Sequence, residues 1–321
     1  MSVSIEACIT LLKKEFETEE VGAQIDEFLK RALYSPKWML YSDYCLDDQT
    51  KHNDVITFVM IPFINEDQYQ ALDRKIAETQ PKDIKKVRSV NDAFMDYFKE
   101  QTALSFSFIV NNRQELFGTT EDEQVKTVTQ ILTNLKQTFI TWRDNADTQS
   151  QKDYYMDVID RIKRQEREIF LKKKVKQHID ILLITIFGAY YTAAIMKRLP
   201  NVQIFGWFPD RDKTNEACDE LAVPIFNALQ YGYMDSRLYQ FCAGKPDSTI
   251  VPFYDNENRI ADVICGTLAD YDIQNNLVSK DKFSEVLEGL MADNLFIKIY
   301  RFFVDGDRLH MGTIKISSLP L

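Results

Sequence analysis

The chain has 321 residues, of which 45% are hydrophobic and 27% are charged. This composition is typical of a folded globular protein and excludes a disordered or fibrous chain. The 39 Lys and Arg against 49 Asp and Glu give a net charge of -10, which excludes a uniformly basic protein that coats nucleic acid. Neither a Walker-type phosphate loop nor a Gly-x-Gly-x-x-Gly fingerprint is present, which argues against nucleotide binding by either device.

The cysteines and histidines show no pattern of a metal or disulfide site. The five cysteines form no Cys-x-x-Cys pair, and the three histidines lie far apart in the sequence. A zinc site is therefore poorly supported, and the absence of a Gly-x-Ser-x-Gly elbow argues against a serine hydrolase. With no secretory signal at the start of the sequence, we expect reduced thiols in a cytoplasmic protein.

The first half of the chain predicts helices around a β-hairpin. Apolar residues at helical spacing predict a helical segment over 5–33, with a break near 19–22. Two β-rich runs, 38–45 and 55–62, flank a polar loop and predict an antiparallel hairpin. The other elements predicted in this half are helices over 65–79, 91–100 and 119–142 and a strand over 103–110.

The second half predicts alternating helices and strands. The elements are one long helix or two in series over 152–199, a strand over 202–208, a helix over 214–231, strand candidates over 238–242 and 249–253, helices over 257–271 and 281–291, and a hairpin over 295–316. The apolar stretch 181–196 has 16 residues, fewer than the about 20 that span a bilayer, so we expect a buried helix and no membrane association. This order predicts an α/β fold with a mixed sheet covered by helices.

Four aspartates end or interrupt apolar segments, where an acid indicates a possible functional role. Asp43 follows the apolar start of the first strand, Asp210 and Asp212 follow strand 202–208, and Asp262 interrupts an apolar helical run. An acid in apolar surroundings is unfavourable unless it is paired, exposed or bound to a cation. Carboxylates without Cys or His suit Mg²⁺ or Mn²⁺, which support phosphodiester cleavage. The alternative for each acid is a turn residue or helix cap, as Asp212 would be for the next helix.

Four segments carry a resemblance to a known superfamily. Asp43 on the first strand, Asp210 at a strand end, the run 249–255 and the helix segment 259–266 that follows it resemble the RNase H-like superfamily, and Ala261-Asp262-Val263-Ile264-Cys265-Gly266 is the closest match. The closer similarity is to bacterial and phage proteins with a D-E-S-type first strand and a C-terminal Q-x-A-D helix. Two positions depart from that pattern, because Tyr44-Cys45 stands in place of Glu-Ser and Arg259-Ile260 in place of Gln and a hydrophobic residue.

The resemblance spans about 38–271 and implies an RNase H-like mixed β-sheet flanked by helices. The implied organisation is an N-terminal helical extension (1–35), a core (36–275) with a helical insertion (113–180), and a C-terminal helix and β-hairpin (276–321). The resemblance also implies functional residues. These are Asp43, Asp210 and Asp262 as catalytic, metal-binding acids, Asp212 as an auxiliary metal ligand, and Lys85 or Lys86 as a lysine before the third strand.

A stripe of basic residues is a candidate surface for binding nucleic acid. Residues 161–176 contain eight bases and two acids, and such a stripe on a helix would guide a polyanion. We therefore consider Lys172, Lys173 and Lys174, together with Arg211, as substrate-binding residues. The alternative is a solvated helix face or a set of partners for the protein's own acids.

The leading hypothesis from the sequence is a metal-dependent phosphodiesterase, specifically a nuclease using carboxylate-bound Mg²⁺ or Mn²⁺. The alternative is an RNase H-like protein without catalytic activity that binds a protein or nucleic acid, as in a bacterial or phage conflict system. The altered first-strand motif motivates this alternative. The apolar hairpin 295–316 would pack on the domain or form a contact between copies of the chain, because an isolated hairpin is only marginally stable.

Overall fold

Seven strands form one mixed sheet in a computed structural model that describes residues 4–100, 103–171, 174–210, 218, 220–234, 239–244 and 252–318. The strands are β1 (Lys37–Cys45), β2 (Val55–Phe63), β3 (Leu104–Ile109), β4 (Ile204–Pro209), β5 (Gln240–Ala243), β6 (Ile297–Asp305) and β7 (Arg308–Ile314). Their order across the sheet is β5-β4-β1-β2-β3-β6-β7. β2 and β7 run antiparallel to the other strands, so β1, β3, β4, β5 and β6 end at the same edge.

The principal helices are defined by apolar periodicity and, at several N-termini, by a capping side chain. They are α1 (Ile5–Phe16), α2 (Glu19–Arg31), α3 (Glu66–Thr79), α4 (Asp92–Lys99), α5 (Glu121–Asp144), α6 (Gln149–Phe170), α7 (Val175–Met196), α8 (Ala222–Tyr233), α9 (Asn258–Asp270) and α10 (Asp281–Val286). Short 3₁₀ turns occupy Ile84–Lys86 and Arg113–Phe117, and a π-helical turn occupies Leu287–Met291. At α5, Thr120 and Glu123 form a reciprocal capping box.

Helices cover both faces of the sheet and create two apolar clusters. One cluster combines α1, α2 and α5 to α8 with strand residues such as Leu40. The other combines α3, α4, α9 and α10 with strand residues such as Tyr41. Successive β1 side chains alternate between the two clusters, as the pleat of a strand requires. The face of any polar residue on β1 can therefore be read from its apolar neighbours.

Helix α7 is apolar on nearly all sides because it packs in the interior against the sheet and α8. Gly188 permits this contact, since an added Cβ would lie 2.8 Å from the Phe58 ring and 3.0 Å from the Phe226 ring. Within the described ranges, α7 is the one helix long and apolar enough to cross a membrane, and 89% of its most apolar stretch is buried by the protein. That burial is the environment predicted for a core helix.

A buried arginine connects the β1–β2 loop to α7. Arg113 is 1% exposed and makes ion pairs with Asp47 (2.9 Å), Asp54 (2.6 Å) and Asp180 (2.6 Å). A guanidinium suits this role because its planar donors can bind several carboxylates at once. The network fixes the loop that follows the carboxyl end of β1.

The α/β class and the mixed sheet flanked by helices are confirmed, and most predicted elements are present. The region predicted as one helix or two over 152–199 contains α6 and α7. The strand candidate 249–253 is wrong at its described end, because Pro252 and Phe253 are not in a strand; residues 249–251 lie outside the description. The C-terminal hairpin, β6–β7, extends the central sheet through pairing of β6 with β3.

Candidate functional site

Two of the predicted acids lie side by side at the carboxyl edge of the sheet. Asp43 is on β1, and Asp210 follows β4 directly. The two strands are parallel neighbours in a register that pairs Ser42 with Pro209, and the Asp210 amide donates to the Ser42 carbonyl oxygen at 2.9 Å. Asp43 is two residues after the buried Tyr41, and Asp210 is two residues after the buried Phe208, so each aspartate is on the same face as that aromatic residue. Both aspartates therefore point to the face covered by α9.

The third predicted acid, Asp262, lies on α9, which packs against that face. Its carboxylate accepts a hydrogen bond of 2.5 Å from the backbone N–H of Ile84. Burial, together with the negative charges of Asp83 and Asp210, raises the pKa of Asp262 to about 6 against the lowering effects of the Ile84 hydrogen bond and Arg259. Asp210 is thus close enough to Asp262 for its charge to disfavour ionisation of the Asp262 carboxyl group.

Cys265, one helical turn after Asp262, lies close to both Asp43 and Asp262. Burial raises the pKa of the Cys265 thiol, and the charges of Asp43 and Asp262 act in the same direction. Burial, together with the charge of Asp43, raises the pKa of Cys45 to about 12. Both thiols therefore stay protonated near neutral pH and are poor nucleophiles. The chemistry of this edge depends on its carboxylates.

Two charged residues of this site, Asp83 and Arg259, were not among the predicted site residues. Arg259 is 7% exposed and makes ion pairs with Asp83 (2.8 Å) and Asp255 (2.6 Å). Asp83 also pairs with Lys86 at 2.5 Å; although burial opposes ionisation, Lys86 and Arg259 hold the pKa of Asp83 below its usual value. The four-residue spacing of Asp255 and Arg259 was a usable signal. Nothing in the sequence connected Asp83 with α9.

A buried lysine holds the turn that carries the Ile84 N–H. Lys282 of α10 is 4% exposed and donates to the carbonyl oxygens of Ile84 (2.5 Å) and Val87 (3.0 Å). Burial lowers the pKa of Lys282, and the repulsion of Lys280 and Lys51 adds to this effect. The short turn is thus fixed from α10 on one side and bonded to Asp262 on the other.

The predicted basic residues occupy different places. Lys85 and Lys86 are exposed on the turn beside Asp262, so both lie near the acids. Lys174 lies at the start of α7 and pairs with Glu168 at 3.3 Å. Arg211, Asp212, Lys172 and Lys173 lie outside the described residues.

Much of the basic stripe is paired with the protein's own acids. Arg161 binds Asp157 at 2.8 Å, and Lys163 binds Asp160 at 2.9 Å, both within α6. Lys176 pairs with Asp47, just beyond the end of β1. Such pairs reduce the positive charge that the stripe offers to a polyanion, which is the alternative considered for these residues.

The ligand atoms of the site are of the type that a hard divalent cation prefers, but the side chains are not arranged as a complete metal site. Asp43, Asp210 and Asp262 supply only carboxylate oxygens, the type of ligand that Mg²⁺ and Mn²⁺ prefer. Among the residues that the structure describes, however, no three His, Cys, Asp or Glu side chains are grouped closely enough to hold a metal ion. The three acids share an edge and a face without forming a ready three-ligand group.

A second buried acid lies at the N-terminus of α9. Glu257 is fully buried, and its carboxyl oxygens have no hydrogen-bond partner of standard geometry among the described residues, although the Tyr69 side chain lies close enough to act on the carboxyl group. The nearby Tyr69 hydroxyl donates to the Phe253 carbonyl oxygen at 2.6 Å. Burial raises the pKa of Glu257 to about 8, and the charge of Asp73 acts in the same direction. At neutral pH this carboxyl group is mostly protonated.

Comparison of the chain with protein-family models, with curated proteins and with solved structures finds no match.

Proposed function

We propose that the protein is a metal-dependent phosphodiesterase, specifically a nuclease with an RNase H-like fold. The observation that carries this proposal is the convergence of Asp43, Asp210 and Asp262 from three separate segments on one face of one sheet edge. Acids that serve only as turn residues or caps have no reason to meet in this way. Fold and activity remain separate claims, because one fold hosts many functions.

The sheet topology supports the fold part of the proposal. An antiparallel hairpin, β1–β2, continues into β3, and the parallel strands β4 and β5 follow on the other side of β1. The first acid lies on β1, the second follows β4, and the third lies on a helix against the same face. This is the placement that the resemblance to RNase H-like proteins implies for its three acids.

The electrostatics of the edge support binding of Mg²⁺ or Mn²⁺ by these acids. Burial and the charges of Asp83 and Asp210 raise the pKa of Asp262, and a bound cation would offset both effects. When bound, such an ion supplies activation of water and neutralisation of charge on a phosphodiester. The Ile84 N–H orients Asp262, and the exposed Lys85 is placed to contact a phosphate group of a nucleic acid.

The test is nuclease activity of the wild type and of Asp262→Asn, with Asp307→Asn as the matched control. Asn keeps an acceptor for the Ile84 N–H but removes the charge, whereas Asp307 is exposed in the β6–β7 turn. With Mn²⁺ or Mg²⁺, we expect the wild type and Asp307→Asn to cleave DNA or RNA alike. Asp262→Asn should be at least about 100-fold slower, equivalent to about 2.7 kcal/mol of transition-state stabilisation.

Equal cleavage by Asp262→Asn and the wild type would contradict the assignment of the site. An absence of cleavage of any nucleic acid by the wild type would contradict the activity itself. Electron paramagnetic resonance of the wild type and of Asp43→Asn measures Mn²⁺ binding. This measurement tests the metal site independently of nuclease activity.

The second candidate is an interaction protein that retains the fold without catalysis. The absence of a ready three-ligand group among the described side chains favours it, as does the hydrogen bond of Asp262 to the Ile84 N–H. In this case the wild type would neither bind Mn²⁺ nor cleave nucleic acid. It would instead bind a protein or nucleic-acid partner. The same pair of assays therefore decides between the two candidates.

A further inference from the structure

A pocket between α5, α6 and α8 lies on the face of the sheet opposite the proposed catalytic acids. These three helices belong to one apolar cluster, whereas α9, which carries Asp262, belongs to the cluster on the other face. The pocket has a volume of about 260 Å³, below the about 300–1,000 Å³ that is typical of pockets for drug-sized ligands. It therefore suits a small ligand.

Three aromatic side chains form one wall of the pocket, and each comes from a different helix. The ring centroid of Trp142 on α5 lies 5.8 Å from that of Tyr155 on α6 and 5.3 Å from that of Tyr231 on α8. The ring planes are inclined at 56° and 81°, so neither pair stacks flat. Tyr231 is 52% exposed and the other two rings are half-buried, which leaves ring surface open to a ligand. Helical spacing accounts for two polar neighbours, because Gln151 precedes Tyr155 by four residues and Asn227 precedes Tyr231 by four.

The charge of the lining is negative. Among the described residues that line the pocket, Asp147 is the one charged side chain, and it is exposed in the loop between α5 and α6. It has no ion-pair partner within the described part of the chain. Arg143, four residues earlier, instead pairs with Asp144 at 2.8 Å. The faces of aromatic rings are also negative, so the lining favours a cation and repels an anion.

Local hydrogen bonds fix the loop that carries Asp147. The Asn145 side-chain amide donates to the Thr141 carbonyl oxygen at 2.8 Å at the end of α5. Thr148 and Gln151 form a reciprocal capping box at the start of α6. Because the loop is held at both ends, a ligand would not have to order it on binding, which lowers the entropic cost.

We propose that this pocket binds a small organic cation that carries a quaternary or methylated ammonium group. The methyl groups of such a cation pack against the aromatic rings, and its positive charge is attracted by the ring faces and by Asp147. A neutral sugar, which also binds to aromatic and amide side chains, would make no use of the Asp147 charge. The site is separate from the proposed nuclease centre and does not depend on that activity.

The experiment is calorimetric titration of the full chain with choline, compared with 3,3-dimethyl-1-butanol, which has the same shape without the charge. We expect one choline to bind per chain with a Kd of about 1 mM or lower. The neutral analogue should bind at least about tenfold more weakly, because it lacks the cation–π attraction. Failure of choline to bind, equal binding of the neutral analogue, or tighter binding of glucose than of choline would each overturn the proposal.

Substitutions at the exposed ring assign the binding to this pocket. Tyr231→Ala should weaken choline binding at least about fivefold, whereas Tyr231→Phe keeps the ring and should leave the Kd within about twofold. Asp147→Asn should weaken binding by about twofold to fivefold, since an exposed charge contributes modestly. Tyr34→Ala removes a tyrosine that is 81% exposed outside the pocket and should have no effect. Unchanged binding by folded Tyr231→Ala would refute the assignment, as would equal losses in the Ala and Phe variants.

Tryptophan fluorescence provides a measurement on the unmodified protein. Of the three tryptophans, Trp38 and Trp207 are 0% exposed, so Trp142 is the one accessible to acrylamide. Saturating choline should reduce acrylamide quenching because the ligand covers the Trp142 ring, and 3,3-dimethyl-1-butanol at the same concentration should not. Unchanged quenching with choline would contradict the proposal. None of these results would bear on the nuclease assay.

Discussion

The buried carboxyl group of Glu257 makes the stability of the protein depend on pH, and replacing it with Gln should remove that dependence. Glu257 lies at the N-terminus of α9, and neither of its oxygens has a hydrogen bond of standard geometry among the described residues. Its side chain is enclosed near Tyr69 and Asp73, and burial holds its folded pKa at about 8 compared with 4.5 in a free side chain. The folded protein therefore retains a proton that the unfolded chain releases.

The sign and size of the effect follow from these two pKa values. Below pH 4.5 both states are protonated, and Glu257 has no effect on the pH dependence of stability. Between 4.5 and 8 the folded state binds one proton more than the unfolded state, so the free energy of unfolding falls by about 1.36 kcal/mol per pH unit. The loss reaches at most about 5 kcal/mol above pH 8. Glu257→Gln has no proton to lose and should be more stable by up to this amount there.

Urea unfolding of the wild type and Glu257→Gln across this pH range measures the difference. The two proteins should have similar stability near pH 4.5 and diverge steadily as the pH rises to 8. Glu78→Gln is the matched control, because Glu78 is exposed on α3; it should change the stability by less than about 0.5 kcal/mol at any pH. Parallel pH profiles for the wild type and Glu257→Gln would refute the reasoning.

Three further substitutions test the packing by thermal or denaturant unfolding. Arg113→Met should destabilise the protein by about 3–5 kcal/mol, because it leaves the buried carboxylate of Asp180 without its partner; a loss below about 1 kcal/mol would show that the network is not structural. Gly188→Val should cost about 1–3 kcal/mol through overlap with the Phe58 ring, and an unchanged midpoint would contradict the close approach of α7 to β2. Thr120→Ala should cost about 1 kcal/mol by removing the α5 capping box, and a neutral effect would contradict that role.

The elements with strong local signals were predictable from the sequence. The hairpin of β1 and β2, the capped helix α3 and the turn at Gly306 were all expected, and each depends on residues close together in the chain. The pairing of β6 with β3 was not expected, because hydrophobic periodicity predicts a strand but not its neighbour. The C-terminal hairpin is therefore part of the central sheet.

The three candidate acids could be selected from the sequence, but the residues that contact them in the fold could not. Asp43, Asp210 and Asp262 were singled out because each interrupts or ends an apolar segment. The contacts of Asp262 with the Ile84 amide and of Arg259 with Asp83 connect segments far apart in sequence. No periodicity or spacing rule identifies such pairs. The buried state of Glu257 depends in the same way on how α3 packs beside α9.

The position of β6 has a consequence for how the protein is made. β3 is translated well before β6, the strand that occupies its outer edge. Until then the nascent chain presents an open row of backbone amides and carbonyls on an apolar strand, a template for pairing with other chains. Shortened products that end before residue 297 should therefore be prone to aggregate, and folding of the emerging chain should rely on chaperones that shield this edge.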